Sequence, residues 1–437
     1  MRRFSMRSWL IMSAVGFGWA ASASAVEPVS PSIRRAEAIL STPADRLDIQ
    51  LISCTDGAAC DTGSSCDGMA GDCVGGCEDG CGLFGGCGLL SGESGDAFDL
   101  GTSLFGEDSG WDVGGWVQAG YTNKSDGVLN TRPDALNVHQ TWIYLEKVAD
   151  GSKGLDWGAR VDAMYGLDGE NTQAFGNNPG RWDFANGFDH GAFHSAIPQA
   201  YGVLAYDKLS VKLGHFYTPA GYEVVPATGN FFYSHAFTWN FTEPFTHTGA
   251  LATYTASDEV TLYGGWVAGW DTGFDAFNNG SAVIGGATVK ATDDISVSYI
   301  GTVGNLGKIG DGNSHHIVAT AALTDKLNYA LSSDITRTNA GVFGGTTFHS
   351  VSAANYLIYN LTDKVGVGGR AEWIKLDGVS YYETTVGVNV KPTPNFILRP
   401  EVRHQWSPGA DKAGGNNPIG LPTTDDTIVG IDAILTF

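Results

Sequence analysis

The stretch Phe396-Ile397-Leu398-Arg399-Pro400-Glu401-Val402-Arg403-His404-Gln405-Trp406 puts Phe396, Leu398, Val402 and Trp406 on one side of an extended chain. Arg399, Glu401, Arg403 and Gln405 fall on the other. Successive side chains of a strand point to opposite faces, so this reads as a β-strand with one apolar and one ionic surface. The period recurs elsewhere. Val429, Ile431, Ala433, Leu435 and Phe437 oppose Gly430, Asp432 and Thr436, and Leu155, Trp157, Ala159, Val161 and Tyr165 oppose Asp156, Arg160 and Asp162. Likewise Val365, Val367, Ala371 and Trp373 oppose Arg370 and Glu372, while Tyr382, Val386, Val388 and Val390 oppose Glu383, Thr385, Asn389 and Lys391.

Short polar turns separate such runs: Asp207-Lys208, Ser257-Asp258-Glu259, Thr292-Asp293-Asp294, Thr324-Asp325-Lys326, Thr362-Asp363-Lys364 and Pro392-Thr393-Pro394. They recur at intervals of roughly 30 to 50 residues, the length taken by two strands of about 10 residues, one tight turn and one longer loop. Reading outward from the turns predicts sixteen strands, the first over 112–122 and the last over 426–437. Short and long connections alternate, except for the brief link at 376–378. That parity fits hairpins whose two ends face different compartments and does not fit the irregular connections of a Greek-key sandwich. Alternation alone would also suit a soluble sandwich. Strand length and aromatic placement decide: Tyr121, Trp157, Tyr165, Tyr254, Tyr263, Trp270, Trp373, Tyr382 and Trp406 sit near strand ends, as interfacial girdles would. Strands in lipid must close on themselves to satisfy their backbone, so the expected fold is an all-β, transmembrane antiparallel β-barrel with its polar face inside.

Composition agrees. The chain has 437 residues, 61 of them glycine, with 16% charged side chains and a net charge of −22. Few charges, many glycines and no heptads argue against a helical protein. An excess of acids over bases argues against nucleic-acid binding. No window approaches 18 consecutive apolar residues, which leaves no candidate membrane helix.

The first residues, Arg2-Arg3 and Arg7 followed by an apolar run from Trp9 to Ala21 and by Ala23-Ser24-Ala25, read as a secretory signal peptide, 1–25, cleaved after Ala25. Residues 26–110 read as a flexible exported extension rich in glycine, and 111–437 as the barrel. Cys54, Cys60, Cys66, Cys73, Cys77, Cys81 and Cys87 all lie in the extension. In an exported chain they read as disulfide candidates, and an odd number leaves a thiol free or paired with another chain. The spacing lacks a C-x-x-C pair and a nearby histidine, so no zinc site and no other metal or cofactor is expected.

Three features resemble a known family. They are the terminal Ile428-Val429-Gly430-Ile431-Asp432-Ala433-Ile434-Leu435-Thr436-Phe437, the run Gly214-His215-Phe216-Tyr217-Thr218-Pro219-Ala220-Gly221-Tyr222-Glu223-Val224, and Glu243-Pro244-Phe245-Thr246-His247-Thr248-Gly249. Over about 111–437 the chain resembles outer-membrane porins, and among them the putative β-barrel porin-2 (OmpL-like) family. The resemblance implies passive diffusion of small solutes or ions through an outer-membrane barrel, contact with outer-membrane lipids, and Phe437 as the signal read by the barrel-insertion machinery.

The long connection from Thr218 to Thr246 is the third one, the position that folds inward in general porins. Phe231, Phe232, Tyr233, Phe237, Trp239 and Phe241 make it too apolar for a solvated excursion. An inward fold is preferred to a cap over the mouth, and it would bring Glu223 and Glu243 toward Arg160, Arg370, Arg399 and Arg403, setting a transverse field across the pore. The plainer arrangement pairs those arginines with Asp162, Glu372 and Glu401. Acidic loop residues such as Asp271 and Asp275 suggest a weak cation preference.

Catalytic signals are poor. Glu107-Asp108-Ser109-Gly110 lacks the second glycine of a serine-hydrolase string, and His315-His316 with His349-Ser350 lack the setting of an outer-membrane phospholipase. The competing class is a non-transporting exported β protein, an adhesin or envelope structural module crosslinked through the cysteine-rich segment.

Overall fold

The computed structural model describes residues 97–106, 109–174, 180–339, 348–409 and 425–437. Sixteen strands follow one another: β1 Trp111–Thr122, β2 Asn137–Lys147, β3 Asp156–Gly166, β4 His194–Tyr206, β5 Leu209–Tyr217, β6 Thr246–Thr255, β7 Val260–Val267, β8 Ser281–Lys290, β9 Ile295–Asn305, β10 Asp311–Ala322, β11 Leu327–Asn339, β12 Phe348–Thr362, β13 Val365–Leu376, β14 Val379–Thr393, β15 Phe396–Trp406 and β16 Asp426–Thr436. Each pairs antiparallel with its sequence neighbours, and β1 pairs with β16 to close the barrel. At the seam Phe437 and Gly115 exchange two backbone hydrogen bonds of 2.9 Å, and the Phe437 ring lies over the space that a Gly115 side chain would fill.

Alternation separates the two faces as the sequence predicts. Val402, Val429, Leu435, Val386, Val161 and Trp157 are exposed on the outside, whereas Arg399, Glu401, Arg403, Asp432, Glu383 and Asp162 are buried within. Closure leaves no unpaired strand edge, the condition a bilayer imposes on a sheet. Among the described residues no helix is long and apolar enough to cross a membrane. Two aromatic expectations fail. Trp270 lies in the connection after β7, buried with its Nε1 toward Thr302, and Tyr263 packs against the same interior cluster, so neither belongs to a girdle. Val365, at the start of β13, is buried although its pairing with Val390 keeps it on the outward face.

The connections at one end are turns, apart from 148–155 with its 3-10 helix Gly151–Lys153; those at the other are mostly loops. The exception, 377–378, has positive φ at both Asp377 and Gly378, the geometry of a type I′ hairpin turn. Where flexible chain was expected before 111, residues Leu100–Phe105 instead form a short helix. Asp99 caps it by accepting a hydrogen bond from Thr102 N, and Phe98 exchanges two backbone hydrogen bonds with the Asn395 side chain at the β14–β15 turn. The signal peptide and all seven cysteines lie outside the described residues.

Candidate functional site

The segment 218–245 leaves β5 and runs across the enclosed side of the barrel to the opposite wall. Charged wall residues hold its main chain. Arg399 Nη1 donates to the carbonyls of Ala227 and Asn230 at 2.9 and 2.6 Å, while its other nitrogens grip Asp432. Arg403 Nη1 donates to His235 O at 2.6 Å, and Glu401 accepts the amides of Tyr233 and Ser234 at 2.9 and 3.1 Å. Glu372 accepts from Phe237 N at 2.7 Å and from both the amide and the hydroxyl of Thr238. Phe237 opens the helix Phe237–Thr242, so this carboxylate meets amides that have no partner within the helix.

Arg370 is the hub. Its Nε donates to Glu383 at 2.6 Å, and its Nη1 donates to the loop carboxylate Glu223 at 2.8 Å and to Ser234 O at 2.7 Å. Glu223 also accepts from His235 Nδ1, Ala236 N and Tyr356 OH. Burial alone would raise the Glu223 carboxyl; the Arg370 guanidinium and the His235 hydrogen bond outweigh it and hold the pKa down at about 2.

Glycines on the wall receive the loop's aromatic tip. A Cβ on Gly368 would lie 2.5 Å from the Phe231 ring, one on Gly387 would lie 3.1 Å from Phe232, and one on Gly430 would lie 3.1 Å from Tyr233. Phe231 and Phe232 meet edge to face at 5.0 Å. Tyr233 ends the run with its hydroxyl 2.6 Å from His139 Nε2, and His139 Nδ1 is 2.9 Å from Asp168. The loop is therefore fixed by charge along its main chain and by shape at its tip.

Sequence reasoning anticipated some of these partners and missed others. Of the four arginines expected to face loop carboxylates, Arg370 alone meets one; Arg399 and Arg403 hold carbonyls instead. Arg160 remains on the opposite wall with Asp162 and Glu146, at 2.7 and 3.0 Å, and stacks over Tyr144. Its side chain keeps 19% exposure where those of Arg370 and Arg403 keep none. Glu372 and Glu401 take amide protons and no arginine. The inner-face glycines at 368, 387 and 430 were the signal that could have revealed the aromatic seat.

Glu243 meets a carboxylate, not an arginine. It accepts from Ser332 Oγ at 3.3 Å beside Asp334, which takes Thr242 Oγ1 at 2.7 Å and has His316 Nδ1 at 3.0 Å. Gly221, at φ +89°, lets the chain pass so close to Glu243 that any side chain there would strike the carboxyl. Burial, and next the charge of Asp334, raise the Glu243 carboxyl well above its ordinary value of 4.5. An acid whose folded pKa is raised contributes stability that is complete below its ordinary value and is lost as pH rises through the folded one. Loop docking should therefore weaken on going alkaline. E243Q, which cannot ionise, should flatten that dependence, measured as the pH profile of proteolysis within 226–240. Parallel profiles for variant and parent would refute the assignment.

Among the described residues no three His, Cys, Asp or Glu side chains gather into a metal-holding group. Residues 110–437 match the profile of the family described as "Putative beta-barrel porin-2, OmpL-like". The chain belongs to this family. Membership, with the closed barrel, points to an outer membrane and to a porin. None of the curated proteins matches the chain. Among solved structures, two triple mutants of Rhodopseudomonas blastica porin align over 75% of this chain and 100% of theirs, at 15% and 16% identity with TM-scores of 0.49 and 0.48. A structure titled "Asymmetric conductivity of engineered proteins" aligns over the same shares at 15% identity and a TM-score of 0.49.

Proposed function

We propose that this porin passes small hydrophilic solutes or ions by passive diffusion and that its third loop, 218–245, narrows the passage. The reading rests on the charged wall residues that hold this segment inside the ring instead of lining an open pore. Solutes then pass beside the loop, along the wall that carries Arg160, Glu146, Tyr144 and Lys212. Acidic loops give a weak cation preference by raising local cation concentration. The chain carries no catalytic role in this reading. It is exported through a signal peptide cleaved after Ala25, and the extension 26–110 forms disulfides that leave one cysteine free or paired with another chain.

Planar-bilayer recording tests the proposal. The mature protein should give discrete conductance steps, a reversal potential in a salt gradient that indicates cations, and larger steps when 226–240 is replaced by a short glycine-serine link. A barrel inserted in the bilayer without steps would return the adhesin reading, and unchanged steps in the shortened variant would show that the loop does not limit flow.

A further inference from the structure

The outward face of β11–β13 carries an unusual group of cations at the loop end of the barrel. Arg337 stands two residues from the end of β11, and His349, its direct cross-strand partner, stands one residue inside the start of β12. Lys375 is one residue from the end of β13, opposite Val351 and so diagonal to His349. All three are exposed, while their strand neighbours Thr336, Thr338, Ser350, Ile374 and Leu376 are buried inside, which puts the cations on the lipid side of the wall.

Two observations give the patch a height and a state. Trp373 lies two residues below Lys375, faces Tyr382 across the ladder, and Tyr382 stacks on Trp406 at 5.4 Å and 11°. Such an aromatic row marks the membrane interface. Two strand residues span about 6–7 Å, so Lys375 reaches the headgroup level just beyond it. Elsewhere on this end Lys124 pairs with Asp426 at 2.7 Å and Lys308 with Asp271 at 2.5 Å. Among the described residues Arg337 and Lys375 have no such partner; the nearby exposed Asp377 accepts His349 N at 2.8 Å through one oxygen and forms no ion pair with either cation. The connection above Lys375 is the two-residue turn, so approach from the side is open there.

We infer that Arg337, His349 and Lys375 form a lateral docking site for the phosphorylated headgroup of an outer-leaflet lipid. The chain's overall charge of −22 opposes general adhesion to anions. A local site is different, because a guanidinium forks onto phosphate oxygens and lysine adds a point charge beside it. Long loops lie on the outer side of such barrels, which assigns the patch to the outer leaflet.

The test uses the mature protein in neutral detergent with diphosphoryl lipid A as the probe, followed by native mass spectrometry. Neutralising two surface cations in R337Q/K375Q should weaken retention roughly ten- to thirty-fold. Zwitterionic phosphatidylcholine should be retained equally by variant and parent, and K290Q/K364Q, at the turn end, should leave lipid A binding unchanged. Equal binding of lipid A by parent and R337Q/K375Q, or an equal loss in K290Q/K364Q, would overturn the site. Unheated gel mobility confirms that each variant is folded. The site rests on the barrel's membrane placement and not on conductance, so failure of either leaves the other standing.

Discussion

Arg370→Met should release the third loop from the wall. The guanidinium is fully buried and joins Glu383 on its own sheet to Glu223 and Ser234 O on the loop. Removing one partner of such a pair leaves buried carboxylates without compensation, a loss of about 3–5 kcal/mol. Glu223 then keeps only His235, Ala236 N and Tyr356 as partners. The expected result is proteolytic cutting within 226–240 at protease levels that leave the parent intact, with larger single-channel steps in the same preparation. Arg370→Lys should recover little, because an ammonium cannot span three acceptors in the plane that the fork serves. A loop as resistant in R370M as in the parent would remove Arg370 as the hub.

Gly368→Val should displace the aromatic tip. The new Cβ would stand 2.5 Å from the Phe231 ring, which Phe232 also meets edge to face. Overpacking a filled site costs about 1–3 kcal/mol, and here the cheapest relief is outward movement of the tip. Adding Phe231→Ala should restore most of the loss, a coupling that appears only when the two residues touch. Gly369→Ala is the internal control. It points the other way on β13, and its Cβ would meet nothing nearer than 3.9 Å, so it should be silent. Thermal unfolding of the four variants measures all of this, and an additive cycle would separate Gly368 from the loop.

Much of this architecture was legible in local pattern. The first strand, read over 112–122, coincides with β1 to one residue, and the last, read over 426–437, coincides with β16 to one residue. A two-residue period and a turn every few tens of residues are properties of neighbouring positions, and they survive whatever the rest of the chain does. The apolar content of 231–241 likewise announced a segment that needed cover. Its partners were not announced. Glu223 and Arg370 are 147 positions apart, and Glu223 could equally have met Arg399 or Arg403 on the same inner surface. Glu243 was expected to find an arginine and found Asp334, and the helix at 100–105 was hidden in a segment that looked featureless because one cap and two side-chain hydrogen bonds hold it.

The sequence by itself determined that this chain makes long alternating hairpins, that one surface is apolar and the other ionic, and that the hairpins must close on themselves in lipid. It determined also that 218–245 carries too much aromatic surface to stand in water. Only the tertiary structure decided which wall the loop meets, that Arg399 and Arg403 hold carbonyls, and that glycines at 368, 387 and 430 open the seat for Phe231, Phe232 and Tyr233. The physical reason is the difference between period and register. Side-chain direction follows from the covalent chain two residues at a time, whereas contacts across a closed ring depend on the summed pairing of all sixteen strands.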